Sequence, residues 1–193
     1  MKKVMLLMIV SGMLVACSNP EDEVLRTPTD NVETDGISDV HEKPDLLTEE
    51  IDVSMERAIE IFNEQYSPDG ITEIELDNDR TSLYYTIKGA NSSNEFELEI
   101  DARTEEVLKE EQEVLDQNDW NEVQAEFLNL DSVIQADEAM QVVIDEQQGQ
   151  IEGWTLKKED NVDIYEVELR LEDGSDIEFK VDAQSGEILA RDE

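Results

Sequence analysis

Enzymatic chemistry needs particular side chains at particular spacings, and this chain of 193 residues offers few of them. It has one histidine, His41, and one cysteine, Cys17. A Ser–His or Cys–His nucleophile requires a base held within hydrogen-bond reach. Zinc requires three or four Cys, His or carboxylate ligands with usable spacing, and nothing in the chain qualifies. The run DNDRTS at 77–82 opens like a calcium loop, but it lacks the central glycine, and its twelfth position is Lys88 where such loops carry a bidentate glutamate. A plain β-turn accounts for it. Carboxylate pairs can act as general acid and base, yet among 52 Asp and Glu such pairs arise by chance everywhere. No catalytic residue, metal ligand set or cofactor is expected, and the chain reads as a non-enzyme.

Cys17 has another use. It closes the N-terminal run MKKVMLLMIVSGMLVAC, in which Lys2 and Lys3 precede an apolar stretch from Val4 to Ala16. That is the grammar of a signal peptide, and the stretch is shorter than the ~20 residues that span a bilayer. Leu14, Val15, Ala16 and Cys17 resemble the lipobox of bacterial lipoproteins, in which the cysteine thiol takes a diacylglycerol and becomes the first residue after cleavage. An ordinary signal peptide cut near Ala16 would leave a stray thiol with no intramolecular partner, a liability in an oxidising compartment. The expectation is therefore a signal peptide over 1–16, palmitate-type acylation at Cys17, and a place on the extracytoplasmic face of the cell membrane. Two acyl chains on one residue give stable anchoring.

Charge narrows the partners. Fourteen basic residues stand against 52 acidic ones, for a net charge of −38. Removal of residues 1–16 takes two lysines and no acid, leaving −40. Such a surface repels nucleic acid and anionic membrane surfaces. It keeps an extracytoplasmic protein soluble and attracts cationic peptides and divalent ions. Three of the four prolines (Pro20, Pro28 and Pro44) fall before residue 50, among many Asp, Glu, Asn and Thr and with no sustained apolar periodicity. Residues 17–50 therefore read as a disordered acidic tether, too poor in apolar surface to offset its ordering entropy.

The remainder says one thing twice. EIDARTEEVL (99–108) returns as KVDAQSGEIL (180–189), 81 positions on, with Asp101/Asp182, Ala102/Ala183, Glu106/Glu187 and Leu108/Leu189 identical. Upstream, Met55, Ala58, Ile59, Phe62 and Tyr66 mark one face of a helix, with Ser54 as its N-cap and Glu56 in its first turn. Ala136, Ala139, Met140 and Val143 repeat that spacing, led by Asp137 and Glu138. After each helix come three alternating segments: Ile74/Leu76, Leu83/Tyr85/Ile87 and Phe96/Leu98/Ile100, then Trp154/Leu156, Tyr165/Val167/Leu169/Leu171 and Ile177/Phe179/Val181. Period two with apolar residues on one side marks half-buried antiparallel strands. Turn signals NSSN, EDNVD and EDGS separate them, and a short closing strand follows at 107–108 or 188–189. The expected fold class is α+β: two tandem modules, 51–110 and 131–193, each one helix on a small antiparallel sheet, joined by 111–130. Each module alone is marginal in size.

These residues resemble the PepSY domain. Its pattern is a DEA helix start, YEV in a middle strand and VDA-x-[ST]-G-E-[IV]-L at the end. The second copy carries ADEAM (136–140), YEVEL (165–169) and VDAQSGEIL (181–189). The first diverges, with MERAI (55–59), YYTIK (84–88) and Glu105 where the family has glycine. The resemblance covers about 52–109 and 131–191. It implies a secreted or lipid-anchored protein that inhibits or regulates a peptidase, with a peptidase or its propeptide as partner.

Two surfaces are candidates for binding. The sheet face opposite the helices carries Glu73, Glu75, Glu95, Glu97 and Glu99 in one copy and Glu166, Glu168, Glu178 and Lys180 in the other. Between the modules, Trp120, Val123, Phe127 and Leu130 share a helical face. Binding energy concentrates in a few aromatic anchors, so Trp120, Phe127 and Trp154 are the expected partner-binding residues. The alternative role is an acidic capture or assembly lipoprotein for cationic peptides, metal ions or another envelope protein.

Overall fold

The structure, a computed structural model, describes residues 43–78 and 82–192. The signal segment, Cys17, His41 and most of the expected tether lie outside the described residues, as do positions 79–81 of the DNDRTS turn. No helix among the described residues is long and apolar enough to cross a membrane.

The first copy is α1 (Met55–Tyr66) followed by β1 (Gly70–Asn78), β2 (Leu83–Asn91), β3 (Asn94–Asp101) and β4 (Val107–Val114). The connecting α2 (Trp120–Ala125) and a 3-10 turn at Leu130–Ser132 lead to the second copy. That copy is α3 (Ala136–Glu146), β5 (Gln150–Glu159), β6 (Val162–Arg170), β7 (Asp176–Asp182) and β8 (Ile188–Asp192). Both long helices lie where the apolar spacing puts them. Ser54 caps α1 by accepting a hydrogen bond from the Arg57 N–H at 3.2 Å. Met55, Ala58 and Phe62 are buried on α1, and Ala139, Met140 and Val143 on α3. The turns between strands close as their residues require: Asp160 and Asn161 take positive φ, as a two-residue hairpin loop demands.

One feature of the expected architecture is corrected. The two copies do not form two small sheets. Their strands make a single antiparallel sheet of eight, in the order β4-β3-β2-β1-β5-β6-β7-β8. The seam is β1 against β5, with Ile74 opposite Leu156, Glu75 opposite Thr155 and Leu76 opposite Trp154. Trp154 stands in the second copy where Ile74 stands in the first, and Leu156 where Leu76 stands, so the pairing is two-fold symmetric about Glu75 and Thr155. Each copy's first strand would otherwise be an exposed edge. Pairing them removes both edges and gives two marginal modules one continuous core.

The core occupies the helix side of the sheet. Ile74, Leu76, Ile87, Leu98 and Ile100 from the first copy join Leu156, Val167, Leu169, Phe179 and Val181 from the second, all essentially inaccessible to solvent. The repeated phrase has a structural reason. Asp101 Oδ1 accepts from the N–H groups of Arg103 and Thr104, and Asp182 Oδ1 does the same for Gln184 and Ser185, so each aspartate builds the turn that follows it. The alanine beside it, Ala102 or Ala183, is fully buried and accepts a backbone bond from Val53 or Ile134 at 2.9 or 2.7 Å. The carbonyls of those two residues in turn accept the hydroxyls of Tyr85 and Tyr165 at 3.0 and 2.9 Å. Helix entry, middle strand and closing turn are locked by the same three contacts in both copies.

The tether was expected to run to residue 50, but its last residues pack. Leu46 is buried, its N–H donates to the Ile151 carbonyl at 2.9 Å, and the Asp45 carboxylate accepts from the Ile151 N–H. Leu46 and Leu47 in this stretch join the core cluster together with Ile51 and Val53 just beyond it, enough for a short strap where no periodicity announces one.

Candidate partner-binding face

The face of the sheet away from α1 and α3 carries the alternate residues of every strand, and it is a lattice of carboxylates bridged by few cations. Lys88 holds Glu73 at 2.7 Å, Lys157 holds Glu166 at 2.6 Å, and Lys180 reaches Glu159 at 2.7 Å and Glu166 at 3.3 Å. Lys109 spans Glu97 at 2.8 Å, Glu111 at 3.1 Å and Glu99 at 3.5 Å. Toward the other end of the seam, Lys43 pairs with Asp77 at 3.1 Å, and Arg170 pairs with both Glu152 and Asp176.

Where cations run short, the carboxylates feel it. Burial, then the charges of Asp77 and Glu73, push Glu75 above the usual glutamate range. Burial likewise raises Glu168 and Glu152, against the pull of Lys43 on the first and of Arg170 and Lys43 on the second. Burial pulls the Lys88 ammonium down, but its hydrogen bond and charge interaction with Glu73 more than offset this and leave it raised.

A groove of about 440 Å³ lies on this face beside the connecting segment. Glu73, Glu95, Glu97, Glu111 and Glu113 form its sheet floor and wall, and Val123 and Glu126 border it from the connector. Its three lysines are all engaged: Lys88 with Glu73, Lys157 with Glu166, and Lys158 with Asp163 at 2.9 Å. The groove is thus acidic with a small apolar lip. Among the described residues no three His, Cys, Asp or Glu side chains are grouped to hold a metal ion.

The three aromatic residues expected to bind a partner do not come together. Trp154 is enclosed in the core, 2% exposed, with its ring edge-on to Tyr85 at 6.2 Å and to Tyr165 at 5.6 Å. It holds the seam from inside, so the expectation that it meets a partner is corrected. Trp120 and Phe127 do meet each other, edge to face at 5.8 Å, and both are half-buried. They do not share a helix. α2 stops at Ala125, and Phe127 lies beyond it with its ring pressed over Gly70, so closely that a Cβ on Gly70 would come within 2.4 Å of the ring. Leu130 belongs to the 3-10 turn. Gly70 here meets a close approach that no side chain allows, and the Leu128 N–H donates to the Ile71 carbonyl at 2.9 Å to fix the crossing.

The repeat, its shared tyrosine and alanine locks and its two closing turns decide the relationship. The chain matches the PepSY family, described as the peptidase propeptide and YPEB domain, twice, over residues 52–111 and 133–192. It belongs to the PepSY family. Among solved structures, its PepSY pair resembles the protein described as "a putative lipoprotein (CD1622) from Clostridium difficile 630", with 28% identity and a TM-score of 0.71 over 78% of this chain and 99% of that one. The YpmB protein from Bacillus subtilis aligns at 19% identity and a TM-score of 0.32, over 71% of this chain and 94% of that one. No curated protein matches the chain.

Proposed function

We propose that the chain is a lipid-anchored, non-catalytic protein of the cell envelope that regulates a peptidase by occupying its surface. The double PepSY match, which spans 52–111 and 133–192 and belongs to a family described by its peptidase propeptides, is the observation that carries this reading. The similarity to a structure described as a putative lipoprotein and the lipobox-like LVAC ending at Cys17 favour the anchored location. Regulation without chemistry needs area: a standard interface buries about 800 Å² per partner, and the carboxylate-bearing face of an eight-stranded sheet is the broad surface available for it.

The test titrates the chain against extracellular peptidases of the same cell, following binding and substrate turnover together. Binding that slows turnover, weakened by Trp120→Ala with the circular dichroism spectrum unchanged, is the expected result. A folded protein that binds none of them removes the peptidase from the proposal. Anchoring is read separately: Cys17→Ser leaves an unprocessed or soluble protein, and normal processing with retention in the membrane fraction contradicts the lipid anchor.

A second reading draws on the groove. Its surplus of unengaged carboxylates suits a capture or assembly role toward cationic peptides, and many salt-sensitive partners in place of one salt-resistant partner would favour it.

A further inference from the structure

We propose that the outer edge of β4 takes up an extended basic segment of a partner as a ninth strand of the sheet. This rests on reading the chain as a binding protein, but not on the partner being a peptidase.

β4 is an edge strand, and all eight of its residues are exposed. The Leu115 N–H donates inward to the Ser93 carbonyl. In an antiparallel ladder bonding alternates residue by residue, so Glu113, Glu111 and Lys109 bond inward to β3, and Val114, Gln112 and Glu110 turn their N–H and C=O groups outward. Val114 is 86% exposed and Leu108 46%. The edge therefore presents a free row of backbone donors and acceptors with apolar side chains toward its ends, the arrangement that accepts an added strand. The opposite edge, β8, is three residues shorter, five against eight, and carries Arg191 over the Phe179 ring.

Charge selects the occupant. Glu97 and Glu111 face each other across β3 and β4, and Lys109 bridges them. One step along, Glu95 and Glu113 also face each other, and no cation bridges them among the described residues. Like charges directly opposite in a sheet are destabilising. A lysine or arginine from a ninth strand, on the same face as Glu113, supplies the missing bridge at the mouth of the acidic groove. A second copy of this chain is a poor occupant, because β4 against β4 would oppose Glu110, Glu111 and Glu113 with one another in a chain of net charge −38.

The probe is a synthetic octapeptide, Lys-Thr-Lys-Val-Lys-Thr-Lys-Val, with a second peptide of equal charge whose two valines are replaced by proline. The protein is the full chain. Gln112→Pro removes an outward N–H without touching the ladder to β3, where edge proline is tolerated. The expected result is binding of the first peptide, weakened about tenfold or more by Gln112→Pro through the lost bond and the ring's obstruction, and weaker binding of the proline peptide. In the unaltered chain the peptide should slow hydrogen exchange at the amides of Glu110, Gln112 and Val114, a readout that needs no variant. No binding, equal binding of both peptides, or bound peptide with those three amides still exchanging at their free rates overturns the proposal. So does a chain that dimerises through β4 before peptide is added. Octapeptide that binds the native and Gln112→Pro chains equally also overturns the edge site, and it does so whatever a peptidase does to either chain, so the regulatory reading stands or falls on its own titration.

Discussion

The two PepSY copies reach the same backbone with different side chains, and the closing turn shows how. In the second copy Gly186 sits at φ 72°, where glycine costs nothing. In the first, Glu105 occupies the matching place at φ 63°, a conformation unfavourable for a side-chain-bearing residue. Arg57 on α1 grips that glutamate with two hydrogen bonds, 2.8 and 3.1 Å, and the second copy has Glu138 where Arg57 stands. The helix starts differ in the same sense: Ser54 caps α1, while Gln135 gives α3 no side-chain cap. The copy that drifted from the family pattern holds its shape with local polar contacts. The copy that kept the pattern relies on the backbone freedom of glycine. Sequence divergence between repeats measures changed means, not changed structure.

The comparison breaks first at the seam. Trp154 and Ile74 are equivalent positions on the two first strands, and the larger tryptophan ring lies edge-on to the tyrosines of both copies. Trp154→Ala should cost about 3–5 kcal/mol and Ile74→Ala about 2–5 kcal/mol. Both should unfold the two copies in a single transition, followed by circular dichroism and by hydrogen exchange of β2 and β6 amides. Exchange that leaves β2 protected while β6 opens would show that the sheet is two units in contact, not one.

How far the sequence reached follows the same line. The alternating strands and both long helices were legible because each has a local cause, a period or a cap, whereas Asp101 and Asp182 stood out only as identities of the repeat until their hydrogen bonds to the following N–H groups showed why they recur. The seam was not legible, since period two says which face of a strand is buried and nothing about which strand lies beside it. β4 runs to Val114 although KEEQE has no apolar alternation, because its backbone pairs with β3 regardless of its side chains. The helical face drawn through Trp120, Phe127 and Leu130 failed for a comparable reason: tertiary contact of Phe127 with Gly70 ends the helix that spacing alone would extend. Trp154 was read from its strand as near the core, yet offered as a binding anchor for its residue type. Burial outranks composition there. On the candidate site, alternation placed the acidic face correctly, but the unbridged Glu95 and Glu113 pair depends on register between β3 and β4, which no single strand encodes.

A smaller effect sharpens the comparison at the closing turn. Gly186→Glu gives the second copy the first copy's residue without its partner, and a left-handed non-glycine residue costs about 1–2 kcal/mol. The added Cβ meets only ordinary contacts, Ile134 at 3.6 Å and Val142 at 3.9 Å, so the cost is one of backbone conformation and not of space. Glu138 on the adjacent helix face adds like charge. Adding Glu138→Arg to that variant transplants the pair and should recover part of the loss, about 0.5 kcal/mol, as an exposed ion pair does. Chemical denaturation of the three proteins measures it. A double variant no more stable than Gly186→Glu alone would mean that the Arg57 grip is incidental and that something else holds Glu105.

The smallest effect lies on the symmetry axis itself. Glu75 and Thr155 are equivalent residues paired with each other across the seam, one charged and one neutral. Burial first, then Asp77 and Glu73, raise the Glu75 carboxyl above its ordinary value. A raised carboxyl binds its proton more readily in the folded chain than in the unfolded one, so the folded state is favoured while the group is protonated. That advantage is lost as pH rises through the raised range. Above it, the ionised carboxylate is a net cost to the fold. Glu75→Thr makes the axis symmetric and removes that cost, while the strand preference of threonine adds a gain that does not vary with pH. The variant should therefore melt higher than the unaltered chain at pH 7, and the gap should narrow as pH falls through the glutamate range and then stay constant. Glu152 and Glu178 are present in both proteins and drop out of the difference, while Glu168, whose charge also raises Glu75, is relieved of that repulsion in the variant and widens the gap at pH 7 in the same sense. Melting curves of the pair from pH 3 to pH 8 read the gap directly. A gap that is flat across that range, or that widens toward acid, would show that Glu75 is solvated well enough to ionise without cost, and that the seam tolerates charge at its centre.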